Sequence, residues 1–297
     1  MKHRLTSAFV CTALAVALLI TPASAPVAAA LPDPVLVAAG DISTCYGDGD
    51  AATALLLDRI PGTVVSLGDH AYPYSSAELL TTCYDRTWGR HKARTRPVVG
   101  NHEYKVGGGK PYFDYFGAAA GDPTKGYYSY DLAGWHVVAL NSNCLIVACA
   151  AGSAQAQWLR ADLTASAART CQIALWHAPL FTSGKEHKPE PAMRDLFQIL
   201  VDFGVEVNLT GHNHHYERFA PQLADGTADQ ARGVQEFVVG TGGASHYSFL
   251  PTPKPNSLVR ENATHGVLAL TLHPTTYDWR FHGIEGPFTD AGTAPCH

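Results

Sequence analysis

Apolar and polar positions alternate in blocks along this chain of 297 residues. Short apolar runs at 35–39, 63–67, 97–99, 173–176 and 205–209 have strand character, and each leads into a short polar block. Between them, 51–57, 77–88, 154–163 and 192–203 are helical candidates, the third with Ser153 placed as its N-cap. Strand and helix in alternation predict an α/β fold assembled from strand-helix-strand units. Two stretches differ: 127–141 and 267–282 each hold two β-rich runs, about Gly134 and Pro274, and are expected as antiparallel hairpins that complete the sheets. Gly107–Gly109 and the Pro-rich 250–256 are expected as surface loops. No strand-to-helix frame surrounds Gly107, so a phosphate cradle is not expected there.

The first thirty residues change the picture of where the protein works. Lys2, His3 and Arg4 precede a mainly apolar run from Ala8 to Ile20, and a small-residue stretch ends at Ala28-Ala29-Ala30. That is the layout of a secretory signal over 1–30, with the mature chain beginning near Leu31 as one domain, 31–297. No later segment approaches the roughly 20 apolar residues of a spanning helix, so the expectation is a soluble, secreted protein, extracellular or periplasmic, without a stable membrane anchor.

Charge then narrows the partners. Without Lys2 and Arg4 the 21 basic residues become 19 against 26 acidic, a formal charge of −7 in place of −5. There is no basic stripe, so no nucleic-acid-binding patch is expected. With 46% hydrophobic and 16% charged residues the chain has ample material for one large core. Its oligomeric state is not legible.

Cys11 falls in the leader, which leaves six cysteines. An even number in an exported chain suggests three disulfides, with free buried thiols or a metal site as the alternatives; no pair has zinc-ribbon spacing. Many connectivities are open. The pairing carried forward is Cys45–Cys83, Cys144–Cys149 and Cys171–Cys296, of which only the second is suggested by proximity.

Candidate chemistry sits where the apolar runs stop. In order these blocks are Gly40-Asp41, Gly68-Asp69-His70-Ala71-Tyr72, Gly100-Asn101-His102-Glu103, Trp176-His177 and Gly211-His212-Asn213-His214-His215-Tyr216-Glu217-Arg218. Carboxylate, imidazole, amide and phenolate are the donors that hard and borderline cations take. In open α/β sheets ligands gather at the carboxyl ends of strands, so distant loops can converge on one pocket. Any one block would more simply be a helix cap, a turn or a core aromatic; five in order define a site.

On these blocks the chain resembles the calcineurin-like metallophosphoesterase superfamily, and within it the purple acid phosphatase branch. Tyr72, three residues after Asp69, looks like the iron-binding tyrosine of Gly-Asp-x-x-Tyr, and 211–218 match Gly-His-x-His-x-Tyr-Glu-Arg in full. Ser43 departs from the pattern, standing where glycine is usual in this branch and histidine elsewhere, so no histidine ligand is available there. The resemblance implies a four-layer α/β/β/α sandwich of two mixed β-sheets flanked by helices. It implies that Asp41, Tyr72 and His214 hold one metal ion, that Asn101, His177 and His212 hold a second, and that Asp69 bridges them. With Asp41 so near the expected cleavage point, the catalytic domain alone is expected, without the extra β-domain of plant members.

The implied function is hydrolysis of a small phosphate monoester by in-line attack of metal-bound hydroxide. The alternatives are a phosphodiesterase or nucleotidase with the same centre, or an exported binding protein with a relic site. A phenol, with a pKa near about 10, ionises at neutral pH when a strong Lewis acid displaces its proton, which favours ferric iron beside zinc, manganese or a second iron. Such a pair keeps one net positive charge against two aspartates, a phenolate and a hydroxide; two divalent ions keep none. His102 is expected to stabilise the phosphoryl group or protonate the leaving oxygen, with Glu103 orienting it and Asp69 as its partner in catalysis. Asn101, His187 and His215 are expected near the substrate. His70, His91, His136, His246, His265, His273 and His282 default to structural or exposed places, and Glu217 with Arg218 to an ion pair or outer support.

Overall fold

The structure is a computed structural model and describes residues 1, 3, 5–9 and 32–297. The leader expected over 1–30 therefore lies, apart from a few residues, outside the described ones. Residues Asp33–His297 form one unit. Its elements, in chain order, are β1 (Val35–Ala39), α1 (Gly49–Arg59), β2 (Thr63–Ser66), α2 (Ala77–Thr82), β3 (Thr95–Pro97), α3 (Asn101–Tyr104), α4 (Lys110–Phe116), β4 (Tyr128–Leu132) and β5 (Trp135–Ala139). There follow α5 (Ala154–Ala165), β6 (Cys171–Leu175), α6 (Arg194–Asp202), β7 (Val207–Thr210), β8 (Tyr216–Phe219), β9 (Gln235–Val239), β10 (Ser257–Glu261), β11 (Gly266–Leu272), β12 (Thr276–Gly283) and β13 (Ala291–Pro295).

The strands make two mixed sheets with helices outside, as expected. One runs β13-β12-β11-β1-β2-β3, the other β10-β8-β9-β7-β6-β5-β4. In the first, β1, β2 and β3 are parallel; in the second, β5, β6, β7 and β9 are. Alternation along β6 explains the layering. Cys171, Ile173 and Leu175 join the core between the sheets, while Ala174, and Trp176 just beyond, join a second core under α5 and α6. Leu196, Phe197, Ile199 and Leu200 form the buried stripe of α6, and the Ser153 hydroxyl caps α5 by accepting from Ala156 N at 3.1 Å.

Differences from the sequence reading have local causes. The helix expected over 77–88 stops at Thr82, where the Cys45–Cys83 disulfide anchors the chain and tight turns at Tyr84–Arg86 and Trp88–Arg94 take over. Gly107–Gly109 is a turn that starts α4, with Gly109 at φ 87° in the capping position. Among the strands, β8, β9, β10 and β13 were not foreseen: β9 buries Glu236, and β13 lacks large apolar side chains altogether. Both expected hairpins form, β4 with β5 and β11 with β12. All three disulfides form as paired above, with Cα separations of 5.3, 5.2 and 5.6 Å. Among the described residues no helix is long and apolar enough to cross a membrane.

Candidate metal centre

The parallel strands of both sheets deliver their loops to one place. Asp41 follows β1, Asp69 follows β2, Asn101 opens α3 after β3, His177 follows β6 and His212 follows β7. The first two loops continue to pair beyond their strands: Asp41 N donates to Gly68 O at 3.0 Å, Ile42 N to Asp69 O at 3.0 Å, and Ser43 N to His70 O at 3.1 Å. Both carboxylates are thereby held side by side. Gly40 N, donating to Val239 O at 2.9 Å, ties this edge to the second sheet.

Two donor groups meet at Asp69. On one side the Tyr72 hydroxyl lies 2.8 Å from Asp41 Oδ1, 3.0 Å from His214 Nε2 and 3.1 Å from Asp69 Oδ2. On the other, His177 Nε2 lies 3.1 Å from Asn101 Oδ1, 3.2 Å from His212 Nδ1 and 3.3 Å from that same Asp69 Oδ2. The seven expected ligands thus form two triads sharing one carboxylate.

His212 and His214 reach different triads because 211–215 is a tight turn and not the extended segment on which they would share a face. Asn213 N donates to Gly211 O at 2.7 Å, His215 N to Asn213 O at 2.6 Å, and His212 has φ 67°. Asp41 and Asp69 also have left-handed backbone, at φ 61° and 55°. Three expected ligands in a conformation that L-residues rarely adopt mark the site as one where the fold holds strain, of order 1–3 kcal/mol each. The glycines of the motifs serve close approach. A Cβ on Gly100 would stand 2.2 Å from Asp69 Oδ1, and one on Gly68 2.5 Å from His177 Nδ1, with Gly68 itself at φ 90°.

Four of the expected ligands are oriented from behind. His177 Nδ1 lies 2.7 Å from Leu67 O and His214 Nδ1 2.7 Å from Ser245 O, which leaves the opposite ring nitrogens for the site. Asp41 Oδ2 accepts from His212 N at 2.7 Å, and Asp69 Oδ1 from His102 N at 2.9 Å.

Electrostatics follow the geometry. Burial works against ionisation of Asp69, but His177, then His102 and His212, outweigh it and keep the carboxyl below its usual range; His214 does the same for Asp41. Burial opposes charge on His177 too, yet Asp69 pushes its pKa up to about 10. His212, buried and facing His177, is pushed down to about 3. Tyr72 is held well above the ordinary phenol range by burial and then by Asp41 and Asp69. Its proton therefore bridges two carboxylates, a position in which a cation would replace it. Buried carboxylates, imidazoles with one nitrogen free, an amide oxygen and a phenol fit two metal ions by chemistry and by convergence; Asp69, His177 and His212 alone place three donor atoms within 4.8 Å of one another.

Around the triads the histidines part company. His102 Nδ1 lies 2.6 Å from Pro73 O, and its Nε2 faces the site 3.7 Å from Asp69 Oδ2. His187 stacks on His212 with ring centroids 4.1 Å apart. His215 is not brought to the cluster: its ring is fully buried beside Phe249, with Nε2 3.4 Å from Glu217. Glu103 does not orient His102. It turns inward and gathers backbone, accepting from Asp69 N at 3.0 Å, His70 N at 2.9 Å and Gly100 N at 2.6 Å. Nor do Glu217 and Arg218 pair with each other; Arg218 clamps Asp290 with two bonds of 2.7 and 2.9 Å. Two neighbours had no sequence signal. Tyr247 stacks on His214 at 3.8 Å, and Lys105 Nζ lies 2.7 Å from His102 Nε2.

The Calcineurin-like phosphoesterase family model matches residues 32–216, and the chain belongs to that family. Within it the chain is of the purple acid phosphatase-like branch. It is 30% identical to purple acid phosphatase 22 of Arabidopsis thaliana over 211 residues, 66% of this chain and 45% of that protein. It is 32% identical to purple acid phosphatase 21 of the same plant over 164 residues, 52% of this chain and 36% of that one. The chain thus spans less than half the length of these relatives. Among solved structures, purple acid phosphatase PPD1 of yellow lupin superposes with a TM-score of 0.72 at 20% identity, covering 88% of this chain and 53% of that one. GAP50, the anchor in the inner membrane complex of Plasmodium, superposes with 0.67 at 13%, covering 88% of both. The fold is therefore shared with a protein described as an anchor, and an activity has to be argued from the site.

Proposed function

We propose that this chain is an exported phosphatase that hydrolyses small phosphate monoesters at a centre of two metal ions. The observation that carries the proposal is Asp69 Oδ2, approached from one side by Tyr72 and from the other by His177, at 3.1 and 3.3 Å. One oxygen facing two complete triads is what a bridging ligand requires. Asp41, Tyr72 and His214 would hold one ion, Asn101, His177 and His212 the other. When bound, such a pair supplies a nucleophile from water at neutral pH and neutralises charge on the phosphoryl oxygens. The phenol of Tyr72, once its proton is displaced, suits ferric iron, with zinc, manganese or iron on the imidazole side.

The chain's own groups then bind and move protons. Pro73 O accepts from His102 Nδ1 and fixes the ring, so that Nε2 faces the site and passes to the departing alcohol oxygen a proton that it takes from the Lys105 ammonium beside it. Lys105, beside that nitrogen, adds positive charge where the phosphoryl group sits. His187 lies flat on His212 and borders the same space. Three disulfides accord with export after removal of 1–30.

The test is metal analysis of protein isolated without chelators, with assays on mono- and diesters. Two metal ions per chain, iron among them, a visible charge-transfer colour and preference for monoesters are expected. Tyr72→Phe, which keeps the ring and deletes the donor oxygen, should be paler and hold its metal less tightly. A colourless native protein, free of iron and fully active with zinc or manganese alone, sinks the ferric assignment; diesters cleaved faster than monoesters sink the substrate class.

A further inference from the structure

A cavity of about 360 Å³ opens beside the imidazole triad, with Asn101, His177 and His212 at its base. Its wall is the loop after β5, closed on itself by Cys144–Cys149. Two bonds to Asn143 O, from Ile146 N at 2.8 Å and Val147 N at 2.9 Å, set the loop's turn, and Asn143 Nδ2 ties it to Gly100 O at 3.3 Å, next to the ligand Asn101. Cys144 and Val147 pack inward on the core under α5 and α6. Leu145 and Ile146 are left outside, 104% and 57% exposed, on the lining of the cavity. Exposed aliphatic side chains on a stapled loop, directly against a reaction centre, call for a ligand to cover them.

The polar groups around that space lie away from the two aliphatic side chains, and each holds a partner within the protein. Lys105 is on His102, and Glu190 Oε1 accepts from Ala192 N at 3.1 Å. Ser142 Oγ accepts from Ala178 N at 2.9 Å, and Tyr104 Oη from Asn141 Nδ2 at 2.8 Å. A polyol hydroxyl laid against Leu145 and Ile146 would lose water to apolar carbon.

We infer that Leu145 and Ile146 form an apolar subsite for the alcohol portion of the substrate, which selects phosphate monoesters of alkyl or aryl alcohols over those of sugars and polyols. The inference rests on the phosphatase reading above. Because the loop is stapled, little ordering is needed on binding, so the covered area appears as selectivity.

The experiment compares heptyl phosphate with the methoxyethoxyethyl ester of equal chain length, whose slightly better leaving group works against the expected preference. The corresponding non-hydrolysable phosphonates are measured by calorimetry on the metal-loaded chain. Native protein should favour the alkyl compound by about tenfold, in kcat/KM and in Kd. In the double variant Leu145→Ser, Ile146→Ser, which alters only exposed side chains, that ratio should fall to near one, chiefly through a loss on the alkyl compound. Equal affinity of native protein for both phosphonates, or a ratio that survives in the variant, overturns the subsite. Should the phosphonates behave as expected while neither ester is hydrolysed, the subsite stands and the phosphatase reading falls.

Discussion

Strands β6 and β7 run parallel, and their two ends make opposite use of the same ingredients. At the carboxyl ends lie His177 and His212, facing Asp69; at the amino ends lie Cys171 and Glu206, with Cys296 beside them. Each end gathers three potential metal donors within 4.8 Å. At the amino end, however, the sulfurs are joined to each other, and Glu206 has only the His297 ring facing it, at 3.9 Å. Its Oε2 accepts from Gln172 N at 2.6 Å, its Oε1 has no hydrogen-bond partner among the described residues, and burial pushes its pKa up to about 8. Asp41 and Asp69 are no less buried, yet imidazoles facing them hold both below the ordinary carboxylate range. Burial alone protonates a carboxylate; burial against opposed charge keeps it ready for a cation. One end is built to react and the other to hold.

The largest expected effect breaks the reactive end. Asp69→Ala should lower turnover of phosphate monoesters by roughly 10³-fold or more and leave less than the native metal content, since both triads lose their common ligand. Asp69→Asn keeps the shape and tolerates φ 55°, and it should remain folded with a similar loss. Elemental analysis, turnover and thermal melting of the same preparations decide the matter; native metal content with native turnover in the asparagine variant ends the bridging role.

A smaller effect, of another kind, is expected at the holding end. Cys171–Cys296 joins residues 125 apart in sequence, so replacing both cysteines by serine should cost about 3–5 kcal/mol of stability in denaturant titration. Turnover per folded molecule, measured well below the melting temperature, should be unchanged. Removing Cys144–Cys149, with a separation of only 5, should cost less. If the distant serine pair slows chemistry as much as it lowers stability, the two ends are not independent and the contrast between them fails.

The contrast also bears on what a sequence can disclose. The convergence of Asp41, Asp69, Asn101, His177 and His212 was legible because each closely follows an apolar run that forms a strand, whereas Tyr72 and His214 entered the expected set only through the family resemblance. Hairpins were legible through their alternation. What stayed hidden depends on conformation that no residue pattern encodes. His212 and His214 part ways because His212 is itself left-handed, and Glu103, one residue beyond His102, turns into the protein to collect backbone donors. His215, expected near substrate unless it merely fills the variable slot of its motif, sits in a tight turn where adjacent side chains point apart. Strand β9 escaped notice because Glu236 interrupts its apolar pattern, its carboxylate accepting from Leu180 N and Phe181 N at 3.2 and 3.1 Å. Tyr247 and Lys105 reach the site from segments without any motif.

The smallest expected effect tests the carboxyl at the holding end. Glu206 has a pKa of about 8 in the folded chain against 4.5 for the free side chain. Below about pH 4.5 it is protonated in both states, and it then contributes to stability as a neutral group. Between about 4.5 and 8 the unfolded chain releases this proton and the folded chain retains it, so rising pH favours unfolding. Above about 8 both states are ionised, and the penalty stays constant. Glu206→Gln keeps an acceptor for Gln172 N and removes the titration. The variant should therefore match native stability near pH 4.5 and exceed it by about 3 kcal/mol at pH 8. Turnover should be unaffected, because the residue lies at the far end of the strands from Asp69. Denaturant titrations of both proteins across this range supply the comparison. A native curve parallel to that of the glutamine variant would mean that Glu206 is ionised throughout, and that this end holds a charge as well as the other does.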